Sequence, residues 1–420
     1  MKLALLLTGI LFLFSIAHYK PAIYFTSAVM ICQYQLASGV RGVKLLYLIC
    51  LFQIFLFYFR QYNRRWQVND KYPAYIAIAC LLASVGYILS NLFGVSKNYA
   101  TTIVNCACYF VYPYILFRSI DDKEDLLLYL KMLIVFFAIV AGYALIELLS
   151  GTNFYSIFLN ERGLAEGIMG GETAGERFGF RRCNSLLPYS STLGMTSAIT
   201  FFILMFMRVR GITIYPKLEM ALLILLPFCV LICGTRSQMV NFVICLFPFV
   251  FWNQAYKTRA FKVLVVVFTV AAIALSSNLE MIYQSIVDSD NAQMGSTSEM
   301  RMEQWDICYK AAQQSPVFGL GKNYIWEHVR PKNPRLYGAE SVWFQLVVDY
   351  GFVGCATYML ILLSCMFWMA KTNKRLVFMP LAFLVGKTLS IVIGIELSYL
   401  LISCIVLYKI ATLYSEEDEE

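Results

Sequence analysis

The sequence predicts an all-α polytopic membrane protein with about 12 to 13 transmembrane helices. Three observations carry that prediction. First, 60% of the 420 residues are apolar and only 14% are charged, whereas soluble domains average about half and about a quarter. Second, apolar runs approaching the ~20 residues that cross a bilayer recur along the whole chain. Third, short basic loops punctuate those runs. Backbone in hydrocarbon must satisfy its own hydrogen bonds, so the runs are helices.

The elements follow in order. Runs at 1–17, 22–37, 43–59, 74–93, 99–117 and 125–149 make an N-terminal transmembrane part, 1–149. Residues 1–17 have Lys2 ahead of an apolar core, like a signal peptide. The following "FSIAHYK" lacks a small-x-small cleavage pattern, so a retained first helix is expected. Residues 150–184 interrupt the pattern with a polar loop. Runs at 185–207, 218–233, 238–252 and 261–276 form a central transmembrane part, 185–276. Residues 277–341 are the longest polar stretch. Within them "TSEMRMEQWDICYKAAQQ" at 297–314 reads as a helix, with Ser296, Thr297 or Ser298 as N-cap and Glu299 in the first turn. Ser315-Pro316 ends it, "FGLGKNY" is a Gly-rich turn, and "VRPKNPRLYGAES" is an irregular basic loop. The C-terminal part, 342–420, has runs at 344–370, 376–392 and 396–413 and the acidic tail "SEEDEE".

Lys and Arg at span ends set orientation. The basic loops 60–71, 208–217, 256–262 and 371–375 are placed in the cytoplasm, and alternation adds 118–124 and the acidic tail. It puts 38–42, 94–98, 150–184, 234–237 and 277–341 outside. The N-terminus is outside if all thirteen runs span and inside if one early run does not. The net charge of +8 is explained by this loop bias and calls for no nucleic acid. With only His18 and His328, and no carboxylate cluster, no metal site is expected. Most of the 13 cysteines fall in apolar runs, where thiols act as small hydrophobes. Cys183 and Cys308, in the outer loops, could form a disulfide in an oxidising compartment.

The outer side carries Arg162, Arg177, Arg181, Arg182, Arg236, Arg301, Arg330 and Arg335, against the positive-inside trend. An anion would offset them, and arginine over lysine points to bidentate recognition of phosphate or carboxylate. A lipid diphosphate at the outer membrane surface fits both charge and depth. For Arg162, Arg330 and Arg335, a plain role in contacting a lipid headgroup or pairing with Glu161, Glu176 or Glu299 is as good a reading as an anion site. Arg236 has no acidic neighbour in "LICGTRSQMVNF", and "RFGFRR" clusters Arg177, Arg181 and Arg182. "GLGKNY" lacks the strand–turn–helix setting and final Ser/Thr of a P-loop, which excludes nucleotide binding there.

These segments resemble the O-antigen ligase and polymerase superfamily. "LICGTRSQMVNF" is similar to its Ser-Arg-bearing motif. After it come an Arg-bearing helix with a Trp (Arg301, Trp305), a P-x-x-G-x-G turn (Pro316, Gly319, Gly321), a polar pair (Glu340-Ser341), and a span with x-G-x-x-G (Gly351, Gly354). "RFGFRRCNSLLPYSSTLGM" resembles the family's Arg-Gly-Asn segment. The likeness covers roughly 175–355. It implies a multi-spanning glycosyltransferase with a GT-C-type fold and a long periplasmic loop, 277–341, in the bacterial inner membrane. Its donor and acceptor would be polyprenyl-diphosphate-linked oligosaccharides, with no cofactor and no metal. Ligases show His-Asn where this chain has Glu340-Ser341, so the expectation is a repeat-unit polymerase of O-antigen or capsule type. Such a polymerase often works with a chain-length regulator protein.

The expected diphosphate ligands are Arg236, Arg177, Arg181, Arg182 and Arg301. Preorganised charge in a low-dielectric site stabilises the leaving group. The expected base is Glu340, at the mouth of the membrane, with an ion pair to Arg335 or Arg330 as the competing reading. Tyr337, Trp343 and Trp305 could stack on sugars, although aromatics at span ends also serve as interfacial anchors. Two alternatives remain. One is an O-antigen ligase that moves finished glycan to another acceptor. The other is a non-catalytic transporter of lipid-linked oligosaccharide, which would need midplane charges. Most spans lack them, Glu147, Asp349, Lys387 and Glu396 being exceptions.

Overall fold

A computed structural model of the 420-residue chain describes residues 2–30, 45–61, 72–161, 176–177, 180–258, 261–262, 265, 298–333, 341–389 and 397–414. Among them run α1 (Lys2–Ala17), α2 (Tyr19–Val29), α3 (Leu45–Gln61), α4 (Ala74–Phe93), α5 (Tyr99–Cys106), α6 (Tyr112–Ser119), α7 (Lys123–Ser150) and α8 (Phe154–Glu161). A two-residue ribbon follows, β1 (Glu176–Arg177) antiparallel to β2 (Phe180–Arg181). Then come α9 (Ser190–Val209), α10 (Pro216–Ile232), α11 (Arg236–Val250) and α12 (Asn253–Lys257). The last are α13 (Ser298–Ala312), α14 (Val342–Asp349), α15 (Gly351–Thr372), α16 (Phe378–Leu389) and α17 (Leu397–Leu413).

The chain is an all-α polytopic membrane protein. Five described segments are long and apolar enough to cross a membrane: α4, α5 continued through α6, α7, α9 and α15. Large apolar side chains stand exposed along them, among them Leu81, Ile139, Leu149 and Phe367. That is the outward surface a lipid-facing helix presents. Helix α9 is the centre, and every residue from Ser190 to Met207 is buried. Around it pack α10, α11, α16 and α17.

Where they are described, the helices follow the apolar runs closely, with informative exceptions; most of the run 261–276 and the end of the run 22–37 lie outside the described residues. The α5–α6 span passes through a π-helical segment, Ala107–Val111, in which the Tyr112 N–H bonds the Ala107 carbonyl. Pro113 follows at once; its ring cannot tolerate a regular turn against the carbonyl four residues back, and a widened turn relieves this. The run 344–370, read as one span, is divided at Tyr350–Gly351 into α14 and α15. Helix α13 ends at Ala312, three residues ahead of Ser315-Pro316. The expected irregular loop begins with a short π-helical turn, Ile325–Val329, and a 3-10 turn, Arg330–Lys332. Cys183 and Cys308 are both buried free thiols in different apolar clusters, so the disulfide between them is not formed.

The break at Gly351 has a steric cause. Gly319 (φ +74°) and Gly351 (φ +63°) both occupy left-handed backbone. A Cβ on Gly319 would lie 2.5 Å from the Gly351 nitrogen, and one on Gly351 would lie 2.5 Å from the Gly319 nitrogen. Two backbones therefore cross with no room for a side chain on either. The crossing is stitched by Leu320 N–H to Val348 O (2.9 Å), Gly321 N–H to Asp349 O (2.9 Å) and Phe352 N–H to Pro316 O (2.8 Å). Val95 and Ser96 N–H both donate to Leu320 O, tying in the loop after α4. The P-x-x-G-x-G and x-G-x-x-G motifs are thus two halves of one joint.

The two ends of the bundle differ chemically. At one end, Arg60 donates to Ile16 O, Arg208 pairs with Glu219 (2.9 Å), and Arg375 covers the Trp252 ring. Lys123 and Lys371 also lie there, over Tyr414 and Phe367. At the other end meet the last turns of α4, α7, α10 and α16, the first turns of α9, α11, α15 and α17, and the segment 313–333.

Candidate active site

The turn between α10 and α11 is built from Cys233, Gly234 and Thr235. Gly234 takes φ +62°, and extended Thr235 precedes the first residue of α11, Arg236. Arg182 braces this turn. Its Nε donates to Cys233 O (3.3 Å), and its Nη2 donates to Thr235 Oγ1 (3.2 Å) and to Ser190 Oγ (2.6 Å), at the start of α9. The Cys183 N–H bonds Ile232 O (3.0 Å), adding a backbone tie. Gly194 lets α9 come close; a Cβ there would sit 2.6 Å from Cys233 Sγ and 2.7 Å from Gln238 Cβ. Arg236 is half-buried, and its Nε is a buried donor with no hydrogen-bond partner among the described residues. A buried guanidinium nitrogen in that state is costly unless a ligand or water completes it.

Arg181 sits one residue earlier on β2. Its Nη1 lies 3.6 Å from where a Cβ on Gly151 would be, placing it over the C-terminal end of α7. A cation there faces the negative end of the helix dipole.

From Arg236 the contacts run into the membrane part. Gln238 and Asn241, both fully buried, are joined by Asn241 Nδ2 to Gln238 Oε1 (3.1 Å). They abut α16, since a Cβ on Gly386 would lie 3.0 Å from Asn241 Nδ2. Lys387 is fully buried beside them, with its Nζ 5.5 Å from the Phe383 ring centre. Gly386 to Leu389 is under one helical turn, about 4.5 Å of rise. Within it, Thr388 Oγ1 accepts from Trp343 Nε1 (3.0 Å) and Leu389 O accepts from Arg301 Nη2 (3.2 Å). Arg182, Arg236 and Arg301 are therefore linked through one continuous set of neighbours at one end of the bundle.

Beyond that link lies a cavity of about 430 Å³, lined by Arg301, Trp305, Ser341, Trp343, Phe344 and Val347, with Cys355 and Thr388. Its size falls in the range of small-ligand sites. The Trp305 and Phe344 ring centres are 5.8 Å apart, and Trp343 meets Tyr358 edge-on at 5.7 Å. Ser341 caps α14 by accepting the Trp343 N–H (3.3 Å). One guanidinium against a largely apolar wall suits a ligand with an anionic head and a greasy body.

The joint behind the cavity is polar and filled. Asp349, fully buried, accepts from Asn323 N–H (2.9 Å), Ile325 N–H (3.0 Å) and Gln345 Nε2 (3.4 Å). It is a backbone anchor for the 323–325 turn. Lys322, in the same turn, faces Asn105 once that amide is oriented with its oxygen toward Nζ. Burial pulls the Lys322 amine down to about 8, from 10.5, against the opposing pull of Cys106 and Asp349.

Of the residues singled out by sequence, Arg301, Trp305 and Trp343 share the cavity, whereas Arg236 and Arg182 share the α10–α11 turn and do not line it. Arg181 is beside the turn, over α7. Arg330 lies elsewhere, over the Trp326 ring at 5.1 Å. Glu340, Tyr337, Arg162, Arg335, Glu396 and the side chain of Arg177 lie outside the described residues. Gln238, Asn241 and Thr388 are the polar residues that sequence reading passed over. Each is a single uncharged side chain in an apolar run, and buried polar groups in membrane helices carry functional weight.

No curated protein matches the chain. Residues 220–359 match the family model described as O-antigen ligase. That segment, one third of the chain, runs from α10 through the Arg236 turn, α13 and the glycine joint into α15, and over it the chain is similar to the O-antigen ligase family.

Proposed function

We propose that this protein is a glycosyltransferase that polymerises a lipid-linked surface glycan. It transfers a growing glycan from a polyprenyl diphosphate, of the undecaprenyl type, to a hydroxyl of an incoming lipid-linked repeat unit. The observation that supports this most is the cavity joining Arg301 to Trp305 and Trp343, linked through the end of α16 to Arg236. The superfamily's association with O-antigen assembly supplies the substrate class.

In this reaction the acceptor hydroxyl oxygen attacks the anomeric carbon. The bond from that carbon to the diphosphate oxygen breaks, and the electron pair leaves with the polyprenyl diphosphate. The hydroxyl proton goes to a carboxylate, for which we propose Glu340. It immediately precedes Ser341, which lines the cavity. Arg236 and Arg301 neutralise the charge growing on the diphosphate. A group in that role contributes on the order of 3 kcal/mol of barrier. Arg182 braces the turn that carries Arg236, with Arg181 beside it; Arg177, four residues upstream of Arg181 in sequence, is proposed as a further diphosphate ligand. Trp305 and Trp343 receive the first sugar. No step needs a metal or cofactor.

The end that carries Arg60, Arg208, Arg375, Lys123 and Lys371 supports a cytoplasmic placement by the positive-inside trend. The active end then faces the periplasm from the inner membrane, in a GT-C-type arrangement of about 12 to 13 spans. A chain-length regulator is the expected protein partner. A ligase reading is favoured by one observation, the description of the matching family. Glu340-Ser341 in place of His-Asn favours the polymerase. Deletion and complementation, with the surface glycan resolved by gel, tests both. A single repeat unit per core in the deletion strain supports polymerisation. Loss of all glycan from the core, with polymer retained on lipid, overturns it in favour of ligation. Glu340→Gln is expected to abolish the ladder; full-length polymer would remove Glu340 from the reaction.

A further inference from the structure

A carboxylate in the last turn of α7 is badly placed by ordinary rules. Glu147 is 4% exposed, near the outer end of a 28-residue apolar helix. Its negative charge faces the negative end of the helix dipole. A buried charge in that position needs partners, and here they are specific. One carboxylate oxygen accepts the Ser185 N–H (2.6 Å), and both oxygens lie within 3.1 and 3.2 Å of the Asn184 nitrogen. Those two amides immediately follow "RRC" in the chain.

The surroundings hold the same segment. Ser185 takes φ 57°, a left-handed backbone that a serine rarely adopts. Its Oγ donates to Val140 O (2.6 Å), and its carbonyl accepts from Asn153 Nδ2 (2.9 Å). Arg181, over the end of α7, lies close enough to favour the Glu147 charge. Two residues upstream of Asn184, Arg182 is the brace of the Arg236 turn. The segment is thus clamped on one side by a buried carboxylate and delivers its arginines on the other.

We infer that Glu147 is a positioning residue: its carboxylate fixes the Asn184–Ser185 backbone and counterbalances Arg181, so that Arg181 is presented to a lipid diphosphate and Arg182 is held in place as the brace of the Arg236 turn. This inference rests on the lipid-diphosphate reading of the site. Glutamine in its place keeps the size but presents one acceptor and an N–H₂ group to a pair of N–H donors. It also leaves Arg181 without that charge. Aspartate keeps the charge and loses reach.

The test uses the full chain in lipid nanodiscs, comparing the unaltered protein with Glu147→Gln and Glu147→Asp. Hydrogen exchange at the Asn184 and Ser185 amides reads the clamp without any ligand. Binding of a C55 polyprenyl diphosphate, with the C55 monophosphate as control, reads the consequence. Exchange at both amides is expected to rise at least tenfold in Glu147→Gln. Diphosphate binding should weaken about tenfold while monophosphate binding changes less, and Glu147→Asp should fall between. Where Glu147→Gln does not fold, Glu147→Asp carries the test in the same direction. Unchanged exchange overturns the clamp. Raised exchange with unchanged diphosphate affinity overturns the positioning role. Failure of the unaltered protein to prefer the diphosphate sinks the site reading, and with it the role given to Glu147, even if the clamp itself is confirmed.

Discussion

Arg182 offers a quantitative test of how the site is held together. Replacing it by alanine removes three hydrogen bonds from one guanidinium: to Ser190 Oγ at 2.6 Å, Thr235 Oγ1 at 3.2 Å and Cys233 O at 3.3 Å. Bonds from a charged donor contribute about 1.5–3 kcal/mol each, with the longer two at the low end. The gross loss is about 5 kcal/mol. Arg182 is half-buried, so water replaces part of it and the net cost is about 2 kcal/mol. In a multi-helix protein this lowers the melting temperature by a few degrees at most. The functional effect should be far larger, because the lost bonds position Arg236. A displacement near 1 Å at a reacting group costs on the order of 10²-fold. Arg182→Lys keeps the charge but cannot span three acceptors on two elements, so it should resemble Arg182→Ala more than the parent. The assay is the glycan ladder in a complemented deletion strain, beside the melting curve of purified protein. A normal ladder from folded Arg182→Ala would refute the claim that this side chain organises the turn.

Other outcomes follow from the same geometry. Gly351→Ala must place a Cβ 2.5 Å from the Gly319 nitrogen, and left-handed backbone alone costs about 1–2 kcal/mol. It should therefore abolish folded expression, read by size-exclusion profile, where Gly142→Ala, in open space, should not. Trp305→Ala should shorten or thin the ladder about three- to tenfold, the worth of an aromatic contact, with Trp305→Tyr restoring much of it. Lys322 is held near 8 in the folded protein and at 10.5 when unfolded. The unfolded state then binds more protons between those values, so stability rises with pH across about 8 to 10.5 and the buried charge penalises folding below 8. Lys322→Met should flatten that part of the melting-temperature profile; an unchanged slope would contradict the assignment.

Much of the architecture was legible because hydropathy and length report directly on hydrocarbon. The run 74–93 coincides with α4, and 125–149 lies inside α7. The break at Gly351 was not legible, because the run across it is apolar throughout. What divides it is a backbone crossing with Gly319, more than thirty residues away in sequence, and no local signal reports a long-range steric demand. The arginines of the site were visible as a departure from the positive-inside trend. Their division of labour was not: Arg182 and Arg236 look alike in sequence, and only the hydrogen bonds of Arg182 to Ser190 and Thr235 mark it as a brace. Asp349 and Glu147 stood out as ionisable residues in apolar surroundings. What sequence does not carry is that each binds backbone N–H groups of a loop distant in the chain.

The central claim is that the polyprenyl diphosphate is held at the Arg236–Arg301 end of the bundle. Photocrosslinking with a diphosphate carrying a photoreactive polyprenyl chain, followed by peptide mapping, tests it most directly. The account predicts adducts on peptides covering 301–305 and 341–347, competed by unlabelled diphosphate and reduced in Arg301→Gln. Competed adducts concentrated instead on the opposite end of the bundle, in 208–217 or 371–375, would contradict it.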